Sequence, residues 1–330
     1  KNCVNGICQW QNQGTGQILI DQSVRKIQKE VKTGKVVAGV RGGVDSLVAA
    51  VLTHKAIGEQ LHCIFINTGL LRKNEAEEVR DNFQDVLDIK LHYYDFSEHF
   101  LSLLKGISDP EEKRKIIGNH FIKIFEEKAE KIGGATHLLQ GTLYPDVIES
   151  VSLKGPSAKI KSHHNVGGLP DKMKLALLEP LKYLFKDEVR NIGKKLGLAE
   201  KNIWRQPFPG PGLAIRIAGE INADKLTILR EADYIIQTII KEKDLNKKLW
   251  QYFGILLPVK SVGVMGDLRT YDYTLVLRLV TSYDGMTADW ARIPHALLGD
   301  LSNRLINQVK GINRVLYDIS SKPPATIEWE

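Results

Sequence analysis

From residue 35 onward, short apolar runs of strand length alternate with longer segments of helical periodicity, and this alternation constrains the fold more than any other feature. It is typical of βαβ units, in which parallel strands form a buried sheet with helices on both faces. Residues 35–40 and 61–67 predict the first two strands, and residues 44–57 predict the helix between them. We therefore expect a doubly wound α/β fold with a mainly parallel sheet.

The same alternation continues along the chain as far as residue 196. The further predicted elements are helix 74–87, strand 90–96, a long helix from Asp109, strand 137–141, strand 175–178 and helix 186–196. Residues 152–172 interrupt the alternation with Gly, Pro, Ser, Lys and His. A loop of this length is usually functional, and we predict that it forms a lid over a site.

A stretch rich in proline and glycine separates a second, smaller domain from the first. Residues 205–212 read RQPFPGPG, a composition typical of a domain boundary, which we place between residues 206 and 207. The elements predicted beyond it are a long amphipathic helix at 222–243, β-rich segments at 255–264, 273–281 and 315–320, and a helix at 297–309. This mixture predicts an α+β domain.

Composition excludes several classes of protein. With 43% hydrophobic and 26% charged residues the chain resembles an ordinary globular protein, and no segment approaches the ~18 uninterrupted apolar residues of a membrane span. Because the chain does not open with a signal region, we expect a soluble cytoplasmic protein. Cys3, Cys8 and Cys63 lack metal-ligand spacing and are predicted to be reduced thiols. The formal net charge of +7 favours polyanionic partners only where the basic residues gather near phosphate-binding backbone.

The sharpest local motif is Gly39–Ser46, GVRGGVDS, between a predicted strand and a predicted helix. Adjacent Gly42 and Gly43 allow a tight turn that points N–H groups outward, and the helix N-terminus adds partial positive charge. The motif therefore predicts a phosphate-binding loop, and a purely structural βα turn is the simpler alternative. Neither the Walker spacing nor G-x-G-x-x-G is present, so neither a P-loop kinase nor a dinucleotide-binding domain is supported.

The motif resembles S-G-G-x-D-S, the pyrophosphate loop of the N-type ATP pyrophosphatases, and further motifs resemble one family of them, the GMP synthetases. They follow the family order at residues 65–72 (FINTGLLR), 109–118 (DPEEKRKIIG), 141–150 (GTLYPDVIES), 161–170 (KSHHNVGGLP), 206–216 (QPFPGPGLAIR), 262–267 (VGVMGD) and 321–330 (SKPPATIEWE). The resemblance implies an ATP pyrophosphatase domain at 21–206 and a C-terminal dimerisation and XMP-binding domain at 207–330. Residues 1–20 resemble the remnant of a linker to a missing glutamine amidotransferase half.

What the resemblance implies is a ligase that aminates XMP to GMP at the expense of ATP. The xanthine O2 attacks the α-phosphorus of ATP and releases pyrophosphate, and ammonia then displaces AMP. The implied cofactor is Mg²⁺, and the implied partners are ATP, XMP, ammonia, an amidotransferase domain or subunit, and a second copy of the chain. Neither a membrane nor a nucleic acid is implied.

The resemblance also assigns site residues. The implied catalytic residues are Asp45, Ser46 and Lys161, with Asp45 also the metal ligand. The implied ATP-binding residues are Arg41, Gly42, Gly43, Val44, Asp45, Ser46, Leu47, Asn67 and Gly141. The implied XMP-binding residues are Arg114, Arg205, Arg216, Lys322, Ile327 and Glu328. Asp146 and Glu149, three residues apart, are either a site pair or a capped turn.

Three positions depart from the family pattern. Arg41 stands where the loop usually begins with serine, Leu47 where Ser or Thr is frequent, and Asn67 where aspartate is usual. Arg41 adds a charge that can clamp phosphate but also bulk that obstructs close approach, and Asn67 keeps an amide but loses a negative charge.

These departures leave open a non-catalytic or weakened nucleotide-binding subunit. A second alternative is another enzyme with this loop, such as NAD synthetase, argininosuccinate synthetase or a tRNA-thiolating enzyme, although residues 161–170 and 321–330 argue against it. A third alternative, a basic RNA-binding protein, rests on net charge alone.

Overall fold

The computed structural model describes residues 15–151, 175–283 and 285–330. None of the helices in these ranges is long and apolar enough to cross a membrane. The chain divides into two compact units that alternate along the sequence. The first unit comprises Lys1–Phe65, Asn82–His92 and Phe125–Arg205, and the second comprises Ile66–Asp81, Tyr93–Ile124 and Gln206–Glu330. The last transition lies beside the boundary predicted between residues 206 and 207, whereas the earlier transitions fall within the predicted first domain; the predicted domain bounds stay a prediction.

A five-stranded sheet has the strand order β3-β2-β1-β4-β5. Its strands are β1 (Lys35–Gly39), β2 (Leu61–Asn67), β3 (Leu91–Asp95), β4 (Ala135–Leu139) and β5 (Ala176–Leu178). The β1–β2, β1–β4 and β4–β5 pairings are parallel. Every residue of β2 except Asn67 is buried, as expected where helices cover both faces of a sheet. The predicted α/β fold with a mainly parallel sheet is therefore confirmed.

Eight helices lie between Thr15 and Ile203 in the described residues. They are α1 (Thr15–Val31), α2 (Val44–Ile57), α3 (Glu75–Asp81), α4 (Ser97–Leu103), α5 (Pro110–Ile132), α6 (Tyr144–Val151), α7 (Lys186–Lys195) and α8 (Glu200–Ile203). Asp109 Oδ1 accepts the Glu112 N–H at 2.8 Å, so α5 begins at the predicted cap. The helix predicted at 74–87 instead ends at Asp81 and is followed by a π-helical turn, Asn82–Val86.

Helix α1 lies where the motifs predict a linker. Its apolar residues recur at positions 20, 24, 27 and 31, and Ile20 and Ile27 are each 1% exposed. This buried stripe is that of a packed amphipathic helix, which overlaps the linker predicted at 1–20; that predicted bound stays a prediction. Residues 1–14 lie outside the described residues.

The second unit contains a four-stranded sheet. Its strands are β6 (Gln251–Met265), β7 (Leu268–Thr281), β8 (Asp289–Trp290) and β9 (Ile312–Tyr317). Strand β7 pairs antiparallel with β6 and β8 and parallel with β9. Two helices, α9 (Ala223–Glu242) and α10 (His295–Gln308), and a 3₁₀ turn, Gly212–Arg216, complete the elements. Asn222 caps α9 by accepting the Lys225 N–H at 2.9 Å, and the predicted α+β character of this region is confirmed.

Candidate active site

The glycine loop, residues 40–43, joins the end of β1 to the start of α2. Gly42 has φ +79°, a left-handed conformation that favours glycine. Gly43 is the N-cap residue, and among the described residues no side chain caps the helix. Ser46 Oγ donates instead to the Gly43 carbonyl at 3.0 Å. The predicted strand, glycine turn and helix start are therefore present, in the arrangement that binds phosphate groups.

Asp45, in the first turn of α2, is the acidic side chain beside the glycine loop. Its Oδ2 accepts a hydrogen bond from Lys186 Nζ at 2.5 Å, whereas its Oδ1 is buried and has no hydrogen-bond partner in the described part of the chain. A carboxylate oxygen without a hydrogen-bond partner is the kind of ligand that Mg²⁺ takes, because protein sites bind this ion through one or two carboxylates together with substrate phosphates and water. Within the described ranges no three His, Cys, Asp or Glu side chains form a metal-binding group.

Lys186, the first residue of α7, was missed by sequence reasoning. It is separated from Asp45 by 141 positions, and no local pattern connects the two. Only the packing of the first unit brings this ammonium group to the loop.

Two further contacts support the loop from other parts of the first unit. Arg205 Nη1 donates to the Gly42 carbonyl at 2.9 Å. A Cβ atom on Gly141 would lie 3.0 Å from Asp45 C and from Ser46 N, so only glycine allows this approach without displacing backbone. The structure thus brings Gly141, for which the motifs predict a contact with ATP, and Arg205, for which they predict a contact with XMP, to the same glycine loop.

The remaining predicted loop residues divide by burial. Val44 and Leu47 are buried, so only their backbone atoms can face a ligand. Arg41 is exposed, and the protein atoms around its guanidinium lower its pKa by partial desolvation. Arginine does not lose its proton in proteins, so Arg41 brings a positive charge to the loop.

Asn67 ends β2, and three groups of the second unit bind its amide. Its Oδ1 accepts the Gly69 N–H at 2.9 Å, and its Nδ2 donates to Asp95 Oδ2 at 3.0 Å and to Tyr93 Oη at 3.3 Å. Burial opposes the ionisation of Asp95, but hydrogen bonds from Ser97, Asn67 and Tyr93 outweigh it and lower the Asp95 pKa. An aspartate at position 67 would place two carboxylates against each other, so the amide fits this environment.

Arg216 and Glu328, both predicted to bind XMP, form a salt bridge with each other. Arg216 Nε and Nη2 donate to the two oxygens of Glu328 at 3.1 and 2.8 Å. The Arg216 side chain is completely buried, and its guanidinium lies 3.9 Å from the Phe253 ring centroid. The neighbouring Ile327 packs against a buried cluster that includes Phe253. Arg216 thus binds Glu328. Because the Arg216 side chain is completely buried, it is placed to support Glu328 and not to contact a ligand itself.

The other predicted XMP residues of the second unit also lie in or beside residues 318–330. Lys322 Nζ donates to the Gly285 carbonyl at 2.7 Å, and Arg114 Nη2 donates to the Glu330 main-chain oxygen. Sequence reasoning missed two basic residues that bind the same stretch, Lys113 and Arg278. Neither belongs to a local pattern that distinguishes it from a surface cation.

Several predicted residues contribute no site geometry. Lys161 and the predicted lid, 152–172, lie outside the described residues. Asp146 Oδ2 accepts the Leu143 N–H at 2.9 Å, which is the geometry of a capped turn at the start of α6, and the Glu149 side chain is not described. Cys63 is a buried free thiol whose pKa is raised by burial, as expected of an unreactive cysteine; Cys3 and Cys8 lie outside the described residues.

Comparisons with known proteins identify what the chain is similar to. Residues 238–329 match the family described as GMP synthase C terminal domain, and residues 19–121 match the family described as NAD synthase. The NH3-dependent NAD synthetase from Campylobacter jejuni has a slight structural similarity, with a TM-score of 0.43 and 18% identity over 59% of this chain and 79% of that chain.

Similarity to curated proteins extends along the whole chain. It is 59% identical over 329 residues to "GMP synthase [glutamine-hydrolyzing]" from Aquifex aeolicus (strain VF5) and 57% identical over 331 residues to the protein of that name from Dehalococcoides mccartyi (strain CBDB1). The chain spans 64% and 62% of the lengths of these proteins. The alignments cover all of this chain and include both matched regions, so the chain is similar along its whole length to part of these GMP synthases.

Proposed function

We propose that the chain is a ligase that converts XMP, ATP and ammonia into GMP, AMP and pyrophosphate through adenylated XMP. The observation that carries the proposal is the Asp45 carboxylate at the glycine loop. One of its oxygens is bound by Lys186, and the other has no hydrogen-bond partner in the described residues. The similarity to two proteins named GMP synthase supports XMP as the acceptor.

The loop residues explain how the first step would proceed. The N–H groups at Gly42 and Gly43 and the start of α2 would bind the β- and γ-phosphates. Asp45 would hold Mg²⁺, which when bound neutralises charge on the leaving pyrophosphate. Lys186 would exchange Asp45 for a phosphate oxygen, and Ser46 would donate its hydroxyl. A bond then forms between xanthine O2 and the α-phosphorus as the bond to pyrophosphate breaks, a step that depends mainly on positioning.

In the second step ammonia would attack C2 of the base, AMP would leave with the former O2, and the nitrogen would lose a proton. We propose that Lys322, Glu328, Ile327 and Arg114 bind XMP, that Arg205 supports the loop beside it, and that Arg216 acts through Glu328. For Lys161 we propose a contact with the triphosphate from the predicted lid. The ammonia source we propose is an amidotransferase domain or subunit, and a cytoplasmic location stays a prediction.

Self-association through the second unit is also a proposal. Large apolar residues are exposed along the β6–β7 hairpin, at Val262, Val264, Leu268 and Tyr271. A group of exposed apolar side chains on one hairpin is typical of an interface. Sedimentation of the chain at several concentrations would test whether it forms the expected homodimer.

The direct test of the activity is incubation of the chain with XMP, ATP, Mg²⁺ and ammonium, followed by mass analysis of the nucleotides. We expect GMP and AMP in equal amounts. A folded protein that forms neither would contradict the proposal.

The alternative, a nucleotide-binding subunit with little turnover, is motivated by Arg41 and Asn67. Calorimetric binding of ATP and XMP without pyrophosphate release would favour it. Comparison of the chain with Arg41→Ser then identifies the cause: a large gain in turnover would attribute the weakness to the bulk of Arg41, and equal rates would show that the substitution is harmless.

A further inference from the structure

Residues 318–330, here called the terminal segment, form no helix or strand, yet three buried cations bind them. Within the described residues, Lys113, Arg216 and Arg278 are the lysine and arginine side chains with 0% exposure. They come from three separate elements of the second unit, α5, the 3₁₀ turn and β7. Each is directed to a different part of the terminal segment.

Arg278 makes the most contacts. Its Nη1 donates to the Ser320 carbonyl at 2.6 Å, its Nη2 to the Thr326 carbonyl at 3.0 Å and its Nε to the Ile327 carbonyl at 3.4 Å. Its Nη1 also lies 3.3 Å from Asp318 Oδ2. Apart from an isolated β-bridge between Lys322 and Ala288, the segment has no strand or helix partner for its carbonyls, and the planar guanidinium supplies several donors in fixed directions. A lysine cannot reproduce this set of directions.

Lys113 and Arg216 bind the end of the same segment. Lys113 Nζ donates to Glu330 Oε2 at 2.5 Å and to the Ala214 and Ile217 carbonyls at 3.2 and 2.8 Å. Arg216 forms the two-pronged salt bridge with Glu328. Three carboxylates of the terminal segment thus meet three buried cations.

Burying these three cations costs free energy, and the cost is explained if the terminal segment must adopt one defined conformation. Burial of a charge is unfavourable, and apolar side chains of similar volume often hold a segment as strongly. Ion pairs with fixed geometry restrict the segment to few arrangements, because any displacement leaves a buried charge without its partner. The two ends of the terminal segment are anchored in this way, and Lys322 lies between them.

We propose that Arg278, supported by Arg216 and Lys113, is a positioning residue that fixes the terminal segment in the conformation in which Lys322 and Glu328 bind the acceptor nucleotide. Arg278 is buried and acts through the segment, without touching substrate. This inference rests on the proposed function, since it takes XMP as the ligand of the segment.

The test compares the chain with Arg278→Lys, which keeps the charge and removes the fork of donors. We expect faster amide exchange in residues 318–330, XMP binding weakened about tenfold or more by calorimetry with a parallel rise in the KM for XMP, and a KM for ATP within about twofold. Arg304→Gln is the matched control, because Arg304 pairs with Glu242 at 2.7 Å on the surface of the same unit. It should leave all three quantities unchanged.

Faster exchange in the segment with unchanged XMP affinity would overturn the inference, and so would an equal loss of affinity for XMP and ATP. If Arg278→Lys does not fold, Asp318→Asn is measured instead, because it keeps the guanidinium and weakens only one anchor; unchanged exchange and XMP affinity would then overturn it. Failure of the unaltered chain to bind XMP would instead contradict the proposed function.

Discussion

The glycine loop and the terminal segment are two candidate nucleotide-binding regions built in opposite ways. In the loop, the hydrogen bonds that fix the turn are local, because Ser46 Oγ and the Leu47 N–H both donate to the Gly43 carbonyl within one turn of helix. In the terminal segment, Arg278, Arg216 and Lys113 bind residues that lie 42, 112 and 217 positions away. A site of the first kind is visible as a motif, whereas a site of the second kind exists only once distant elements have packed.

The largest expected effect tests whether the loop works as a local unit. Asp45→Asn removes the carboxylate charge that would hold Mg²⁺ and that binds Lys186. We therefore expect AMP formation to fall about 1,000-fold, equivalent to about 4 kcal/mol in the activation barrier. Stability should change little, because Asp45 and Lys186 are each only partly buried. Steady-state kinetics measure the rate of AMP formation, and urea unfolding measures the stability. A rate within tenfold of the original would show that Asp45 has no part in the mechanism.

The next effect tests the dependence of the terminal segment on a distant cation. Lys113→Met leaves Glu330 without its buried partner, and we expect a loss of about 3 kcal/mol in the free energy of unfolding. Lys131→Met is the control, because Lys131 is an exposed lysine of the same helix. It should cost less than about 0.5 kcal/mol. Equal losses in denaturant titrations would show that the burial of Lys113 carries no special energy.

A smaller effect tests how far the loop depends on residues outside its motif. Gly141→Ala places a Cβ 3.0 Å from the backbone at Asp45 and Ser46, so we expect a loss of about 1–2 kcal/mol and a KM for ATP raised about tenfold. Gly118→Ala is the control, because no atom lies within 4 Å of its added Cβ. An unchanged KM for ATP in Gly141→Ala would show that the loop tolerates displacement.

The smallest effect concerns the strand end at Asn67. Asn67→Asp replaces a donor to Asp95 with a second carboxylate, which should raise the pKa of Asp95 and lower the free energy of unfolding by less than about 1 kcal/mol, because Asp95 is exposed.

The pH dependence of that variant has a definite sign. The depressed pKa of Asp95 stabilises the folded chain above the ordinary carboxyl pKa, and this contribution is lost as the pH falls through the folded-state pKa. The deficit of Asn67→Asp should therefore shrink in acid, when both carboxyls are protonated. The double variant Asn67→Asp/Asp95→Asn should recover most of the stability at neutral pH. NMR titration and unfolding at several pH values provide the measurements, and a deficit that grows in acid would contradict the explanation.

Prediction from sequence succeeded where the governing forces are local. The bounds of α2 and β2 follow from periodicity, a glycine turn and an uninterrupted apolar run, and each of these is complete within about fifteen residues. Helix α1 was not predicted, although apolar residues at positions 20, 24, 27 and 31 have the helical period. Prediction from sequence also placed β4 two residues late, at 137–141, whereas the strand is Ala135–Leu139 and is followed by Gln140 and Gly141.

The sequence by itself determined the α/β alternation, the glycine turn at residues 40–43 and the presence of Asp45 beside it. It also supplied the motif at 321–330, with Lys322 and Glu328 as candidate ligands. Only the tertiary structure decided that Lys186 binds Asp45, that Arg205 holds the Gly42 carbonyl, and that Arg216 and Arg278 are buried supports of the terminal segment. The physical reason is that a backbone turn is specified by its own residues, whereas the role of a charged side chain depends on which distant atoms exclude water from it and neutralise it.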